Sequence, residues 1–199
     1  MKPIAKFLTS AADPHHFPAP GPPEFAFLGR SNVGKSSLIN SLLGQNLAHV
    51  SSTPGRTRTI NFIGIYAKPG QPRPEMLLVD LPGYGYAKIA REVSAEWPKF
   101  IEPYLQDRET LALSLVLIDS NIPPQEPDHQ LIHFLQVLHR DFLVVATKTD
   151  KLSSNKLRST LASLAREHRV DAILSYSAKT SAGRAELWRE IRSRAGQQE

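Results

Sequence analysis

The stretch Gly29-Arg30-Ser31-Asn32-Val33-Gly34-Lys35-Ser36 constrains this chain more than any other. It reads G-x-x-x-x-G-K-S and follows the apolar run Phe25-Ala26-Phe27-Leu28. After it comes Ser37-Leu38-Ile39-Asn40-Ser41-Leu42-Leu43, whose apolar residues have helical spacing. Strand, loop and helix in that order are the setting in which this motif cradles a polyphosphate. Two glycines let the backbone wrap closely around the anion. Successive N–H groups and the positive end of the next helix then face it. Lys35 is placed to bridge terminal phosphates, and the Ser36 hydroxyl to ligate Mg²⁺. The loop implies a nucleoside triphosphate without naming its base.

From Glu24 onward apolar runs alternate with helical patterns, which predicts an α/β layered fold. Strands are expected over Glu24–Leu28, Thr59–Ala67, Met76–Asp80, Leu111–Asp119, Phe142–Thr147 and Ala172–Ser175. Lys68–Pro74 is a cluster of breakers too short for a crossover helix. The second and third strands therefore form a hairpin, giving one antiparallel strand in an otherwise parallel sheet. Leu131, Phe134, Leu135 and Leu138 carry helical spacing, as do Leu157, Leu161 and Leu164. A last helix is expected over Ala182–Arg194. Residues 1–23 read as an arm. Lys2–Leu8 suits a weak edge strand, and the five prolines between Asp13 and Pro23 exclude a helix. The expected division is the arm 1–23, a nucleotide-binding domain at 24–195 and a disordered tail at 196–199.

Several functional classes fall away on composition. With no cysteine, disulfides, thiolate metal sites and thiol nucleophiles are excluded. No apolar run is long enough to span a membrane, and the N-terminus lacks a signal-peptide core, so a cytoplasmic location is expected. The formal charge of +5 suggests an anionic partner beyond the nucleotide, most simply RNA. Lys156, Arg158, Arg166 and Arg169 cluster around one predicted helix, and Arg184, Arg189, Arg192 and Arg194 crowd the last. Trp97 and Trp188 read as core aromatics. A monomer is the default.

Four further stretches carry chemistry. Asp80-Leu81-Pro82-Gly83 ends a predicted strand, where a carboxylate can hold Mg²⁺ through water and a glycine N–H can meet a γ-phosphate. Thr147-Lys148-Thr149-Asp150 ends another, at the sheet edge where open α/β folds bind ligands. A carboxylate there accepts two hydrogen bonds from the N1–H and exocyclic amine of guanine, an arrangement adenine lacks. Lys148 can lay its stem along the base. The backbone of Ser177-Ala178-Lys179, after the last strand, can reach the guanine carbonyl oxygen. Finally, Ser51–Thr59 lacks periodicity and suits a mobile loop that brings a threonine to Mg²⁺ when the γ-phosphate is present. Thr53, Thr57 and Thr59 all compete for that role. A P-loop kinase of a small metabolite would need neither Asp150 nor the Ser-Ala-Lys stretch.

These elements, in this order, resemble the translation-factor-like small GTPases. Gly29 to Asn40, Thr53-Pro54-Gly55-Arg56-Thr57 with Ile60-Asn61-Phe62, and Asp80-Leu81-Pro82-Gly83-Tyr84-Gly85-Tyr86-Ala87 are similar to the EngB family, over nearly the whole chain. The resemblance implies a Ras-like sheet of six strands, mostly parallel with one antiparallel edge strand and helices on both faces. It also implies a GTPase needed for large ribosomal subunit assembly and for normal cell division. Thr57 becomes the switch-loop Mg²⁺ ligand beside Ser36 and Asp80, and Gly55, Arg56, Thr57, Arg58 and Thr59 face the nucleotide. Thr147, Lys148 and Asp150 read guanine, while Tyr176, Ser177 and Ala178 close over the base. The Pro-rich segment Asn121–Asp128 has no assigned role.

One departure stands out. Ras-type enzymes orient the attacking water with a glutamine after D-x-x-G; here that position is Tyr84. Slow hydrolysis by Lys35, Thr57 and Gly83 is expected unless a partner or a cation helps. Asn32 is the candidate for holding K⁺ near the β- and γ-phosphates.

Overall fold

Strands buried on both faces read as near-continuous apolar runs, and their side chains still alternate between the two faces. Phe25 and Phe27 lie in one core with Leu113, Leu115 and Leu117. Ala26 and Leu28 lie in the other with Val116 and Ile118. The computed structural model that shows this describes residues 2–48, 59–84 and 101–196.

The elements run β1 (Ile4–Ala11), β2 (Glu24–Gly29), α1 (Lys35–Leu43), β3 (Ile60–Tyr66), β4 (Met76–Asp80) and then α2, whose described part is 101–107. They continue with β5 (Leu111–Asp119), α3 (Glu126–Val137), β6 (Phe142–Thr147), α4 (Ser154–His168), β7 (Ile173–Ser175) and α5 (Arg184–Ala195). The sheet order is β1-β3-β4-β2-β5-β6-β7. β4, β2, β5, β6 and β7 run parallel. β3 pairs antiparallel with β4 and with β1.

The sheet therefore has seven strands where six were predicted. The seventh is β1, the weak edge strand expected over Lys2–Leu8; it takes the edge beyond β3, so the antiparallel strand lies one place inside. Its register slips between Phe7 and Thr9. This irregularity fits a segment with little alternation, half-exposed at Phe7 and Leu8. The proline-rich stretch after it is seated on the sheet. Phe17 stacks on Phe62 and Tyr104, with ring centroids 6.1 and 5.5 Å away.

Helices cover both faces. Leu38, Ile39, Leu42 and Leu43 of α1, with Leu187, Trp188 and Ile191 of α5, bury one face. Ile101, Tyr104 and Leu105 of α2, Leu131, Ile132 and Leu135 of α3, and Leu164 of α4 bury the other. The Trp188 indole N–H donates to the Leu42 carbonyl at 3.2 Å, which ties α5 to α1 and makes Trp188 the core aromatic expected. Trp97 lies outside the described residues.

β2 is the central strand, and its first residue is a charge. Glu24 is fully buried, and its carboxylate accepts from Tyr104 Oη (2.8 Å), Arg108 Nε (2.9 Å) and Thr110 Oγ1 (2.8 Å). Arg108 also donates to the Pro18 carbonyl at 2.8 Å, so one ion pair fastens the arm, β2 and the approach to β5. A buried carboxylate that loses its cation keeps its desolvation cost. Arg108→Ala should thus lower the unfolding free energy by about 3–5 kcal/mol, read from equilibrium urea denaturation. A loss below 1 kcal/mol would show that the pair is dispensable.

Candidate functional site

The phosphate loop leaves the carboxyl end of β2 where the strand order reverses, with β4 on one side and β5 on the other. Such points are where open α/β sheets form ligand clefts. No side chain fits at Gly29: a Cβ there would lie 2.7 Å from Val33 Cγ1 and 3.2 Å from Leu117 Cβ. Asn32 and Gly34 both adopt positive φ, at 65° and 101°. The first bond inside α1 runs from Leu38 N–H to the Gly34 carbonyl at 2.8 Å. The N–H groups ahead of it have no helical acceptor and are available to an anion.

Lys35, the first residue of α1, ion-pairs with Asp80 at the end of β4. Asp80 is 3% exposed. Ser36 stands next to Lys35 in the first helical turn, so the oxygen donors of Ser36 and Asp80 suit a hard cation such as Mg²⁺. Gly83 lies tight against the loop, where an added Cβ would sit 3.1 Å from Ser31 N. Leu81 and Pro82 are buried, Leu81 fully and within the core, so Leu81 shapes the motif without offering a side chain to ligand.

At the other end of the cleft, Lys148 takes positive φ (58°) and its ammonium donates to the Asn32 carbonyl and to Asp119 Oδ2, each at 2.7 Å. Thr147 Oγ1 lies 2.7 Å from the Val33 carbonyl and 3.1 Å from that of Ile118, sharing its proton between them. The Thr147 side chain is 3% exposed and braces the phosphate loop; any base contact from this stretch falls to Lys148 and Asp150. Thr149 is buried and its N–H donates to the Tyr176 carbonyl at 3.4 Å.

Asp150 is exposed at the mouth. The Ser177 hydroxyl donates to its Oδ1 at 2.6 Å, and with Lys179 and Lys151 it holds the carboxyl below its ordinary value. Asp150 is therefore ionised at neutral pH, as an acceptor of two donors requires. Asp150, Ala178 and Lys179 line one wall of a cleft of about 710 Å³, and Gly34, Ser37 and Ser41 line another. Tyr176 is fully buried, with its hydroxyl donating to Ser41 Oγ at 3.1 Å. It backs the cleft instead of closing over its mouth, because β7 directs the ring into the core shared with α1 and α5.

Gly55, Arg56, Thr57 and Arg58, together with Thr53, lie outside the described residues. Thr59 lies within them, and its hydroxyl donates to Asn61 Oδ1 at 3.3 Å. The root of that loop is held by Asn40, which is buried on α1. It accepts from Leu47 N–H and Ala48 N–H at 2.9 and 2.8 Å, and donates to the Ala48 carbonyl at 2.8 Å.

The sequence reading missed three contributors. Asp119 ends β5 and fixes Lys148. Burial opposes its ionisation, but bonds from Lys148 and Asn121 outweigh that and leave its pKa below the ordinary value. Gln125 caps α3 and accepts from Arg30 Nη1 at 3.1 Å. Asp128, 4% exposed, accepts from Tyr84 Oη at 2.9 Å. The available signal was local: Pro123-Pro124-Gln125-Glu126-Pro127 is a helix start, with proline in its first turn.

Comparison with known proteins agrees with this geometry. Residues 24–148 match a family described as 50S ribosome-binding GTPase. A relative from Acidobacterium capsulatum named "Probable GTP-binding protein EngB" is 57% identical over 191 residues, covering 96% of this chain and 90% of its own. Its namesake from Koribacter versatilis is 52% identical over 196 residues, covering 98% and 96%. A crystal structure of a further protein of that name superposes with a TM-score of 0.69 at 23% identity, over 86% of this chain and 98% of its own. One of Era, solved with MgGDPNP and nucleotides 1506–1542 of 16S ribosomal RNA, gives 0.67 at 25% identity, over 86% and 56%. A cleft with a phosphate-type loop at one end and the ionised carboxylate of Asp150 at the other thus comes with relatives that match 96–98% of the chain: the chain belongs to the EngB family of GTP-binding proteins and carries its GTPase domain.

Proposed function

We propose that this chain is a Mg²⁺-dependent GTPase, slow on its own, that acts in the cytoplasm as a nucleotide-dependent switch during large ribosomal subunit assembly and is needed for normal septation. What supports this reading is a cleft lined by Gly34, Lys148 and Asp150 in a chain that also exposes a group of cations on and just after α4. Lys156, Arg158, Arg166 and Arg169 are all exposed there. On α5 the supply is smaller than the sequence suggests. Arg184 donates to the Leu42 carbonyl at 3.1 Å, Arg194 pairs with Glu190 at 2.7 Å, and Arg192 lies over the Trp188 ring. Arg189 stays exposed. The description of the matched family and the rRNA bound to Era support RNA as the anionic partner.

The division of labour follows from the residues. Ser36 and Asp80 would hold Mg²⁺, with Thr57 as the switch-loop ligand, and the ion would supply charge neutralisation at the phosphates. Lys35 is drawn from Asp80 toward those phosphates, and the Gly83 N–H meets the third. Lys148 and Asp150 hold the base. No glutamine follows Gly83, so nothing in that position orients water, and intrinsic turnover should be on the order of 10⁻⁴ to 10⁻² per second. Asn32 is exposed, in the left-handed region, with its carbonyl fixed by Lys148. That leaves its side-chain amide to hold K⁺ beside the phosphates.

The decisive experiment is sedimentation. Protein locked with a non-hydrolysable GTP analogue should pellet with large-subunit particles in a salt-sensitive way, and the GDP form should not. Equal pelleting of both forms, or of neither, rejects the switch. Asp150→Ala should weaken GDP binding at least about a hundredfold through two lost charge-assisted bonds, with little change in affinity for inorganic polyphosphate. Turnover should rise several-fold when Na⁺ is replaced by K⁺, and Asn32→Ala should abolish the difference; equal rates in both salts reject the cation role.

A further inference from the structure

Tyr84, the residue after Asp80-Leu81-Pro82-Gly83, is stitched to the phosphate loop through its backbone. Its N–H donates to the Gly29 carbonyl at 3.3 Å, and its carbonyl accepts from Ser31 N–H at 3.0 Å. Gly83 is thereby held tight beside Ser31, where an added Cβ would lie 3.1 Å from the Ser31 nitrogen. The side chain runs the other way. Its hydroxyl donates to Asp128 Oδ1 at 2.9 Å, in the first turn of α3. A second link joins the same two elements, from Arg30 Nη1 to Gln125 Oε1 at 3.1 Å. Gln125 is itself held by its own amide, which donates to the Pro123 carbonyl at 2.7 Å. The loop, the D-x-x-G segment and the start of α3 thus form one closed ring of contacts.

We propose that Asp128 is a positioning residue for recognition of the third phosphate: by anchoring the Tyr84 hydroxyl to α3 it keeps the Gly83 N–H against the phosphate loop, where a γ-phosphate, and no group of GDP, can receive it. This rests on the reading of the chain as a GTP switch. Two backbone bonds at a cleft mouth compete with water, whereas a bond from Tyr84 to a buried carboxylate is shielded and charge-assisted. The neighbourhood explains why the carboxylate stays. Burial raises the Asp128 carboxyl and outweighs the Tyr84 bond and the Arg30 charge, which pull the other way, leaving it at about 6. Tyr84 and Arg30 are the titratable and charged groups acting on it among the described residues. On its own helix Glu126 accepts from Gln130, and His129 stacks near His168 of α4.

The sign follows. Asp128 is ionised at pH 7.5 and grips Tyr84 most strongly there; as pH falls through about 6 it is protonated and the grip loosens. Asp128→Asn mimics the protonated form at every pH, and Tyr84→Phe removes the donor. The test is the ratio of dissociation constants for GDP and a non-hydrolysable GTP analogue, both with Mg²⁺, from pH 5 to 7.5. In the unaltered protein preference for the analogue should rise by roughly five- to tenfold across that range, the effect of about one charge-assisted bond. In both variants it should stay flat at the low-pH level, with GDP affinity within about twofold of the parent. Because the γ-phosphate also titrates, the difference between the parent and the Asp128→Asn profiles is the quantity to read. Coincident profiles, or equal losses of GDP and analogue affinity, overturn the proposal and leave a merely structural contact. Failure of the unaltered protein to bind either guanine nucleotide would overturn the GTP reading instead.

Discussion

Everything in this site depends on how the chain turns out of β2 at Gly29, where a methyl group would strike Val33 and Leu117. A loop this tight cannot hold its own shape by internal hydrogen bonds, since Val33 N–H to the Arg30 carbonyl at 3.1 Å is its one internal bond among the described residues. Its remaining backbone is braced from outside. Thr147 takes the Val33 carbonyl, Lys148 takes that of Asn32, and Tyr84 takes the Gly29 carbonyl and the Ser31 N–H. The residues that follow β6 and β4 at the cleft are therefore the ones that shape the loop. The two ends of the cleft are thus tied to one shared loop, Thr147 and Lys148 from the β6 side and Tyr84 from the β4 side.

This sharing explains which parts were legible in the sequence. Each strand from β2 onward was marked by an apolar run that both faces of the sheet require, and the boundaries of Met76–Asp80, Leu111–Asp119 and Phe142–Thr147 agree with the structure. The phosphate loop was readable because its glycines answer a steric demand that no other residue meets. β1 was read only as a weak edge strand, for a physical reason. An edge strand buries one side at most, and its pattern is correspondingly thin: Lys6, Phe7 and Leu8 are all exposed.

Asp119, Gln125 and Asp128 were not legible because their partners lie far away in sequence. Asp128 meets Tyr84 across 44 positions, and Arg30 meets Gln125 across 95. A carboxylate in a first helical turn is common for reasons of dipole alone, so nothing in the string distinguishes Asp128 from Glu126. Thr147 shows the converse failure. Its place in the motif suggested a reader of the base, and only the fold reveals that its hydroxyl is already committed to two carbonyls.

The charges around the loop are arranged by the same logic. Arg30 and Lys35 belong to it, Lys148 reaches it from the end of β6, and each feels a carboxylate: Asp128 for Arg30, Asp80 for Lys35, Asp119 for Lys148. These three pairs offset one another's charge at the loop, while Lys151 and Lys179 add cations beside Asp150 in the same cleft. At the loop itself, attraction of an anion then comes from backbone N–H groups and from exchange at Lys35, which Asp80 holds. Lys148 is different, because its carboxylate, its carbonyl acceptor and the Asn121 amide that bonds the Lys148 carbonyl at 3.1 Å all belong to the framework. A phosphate can compete for Lys35 without disturbing Lys148. Lys35 is held by one carboxylate on a neighbouring strand, whereas Lys148 is held by two acceptors and keeps the loop in shape.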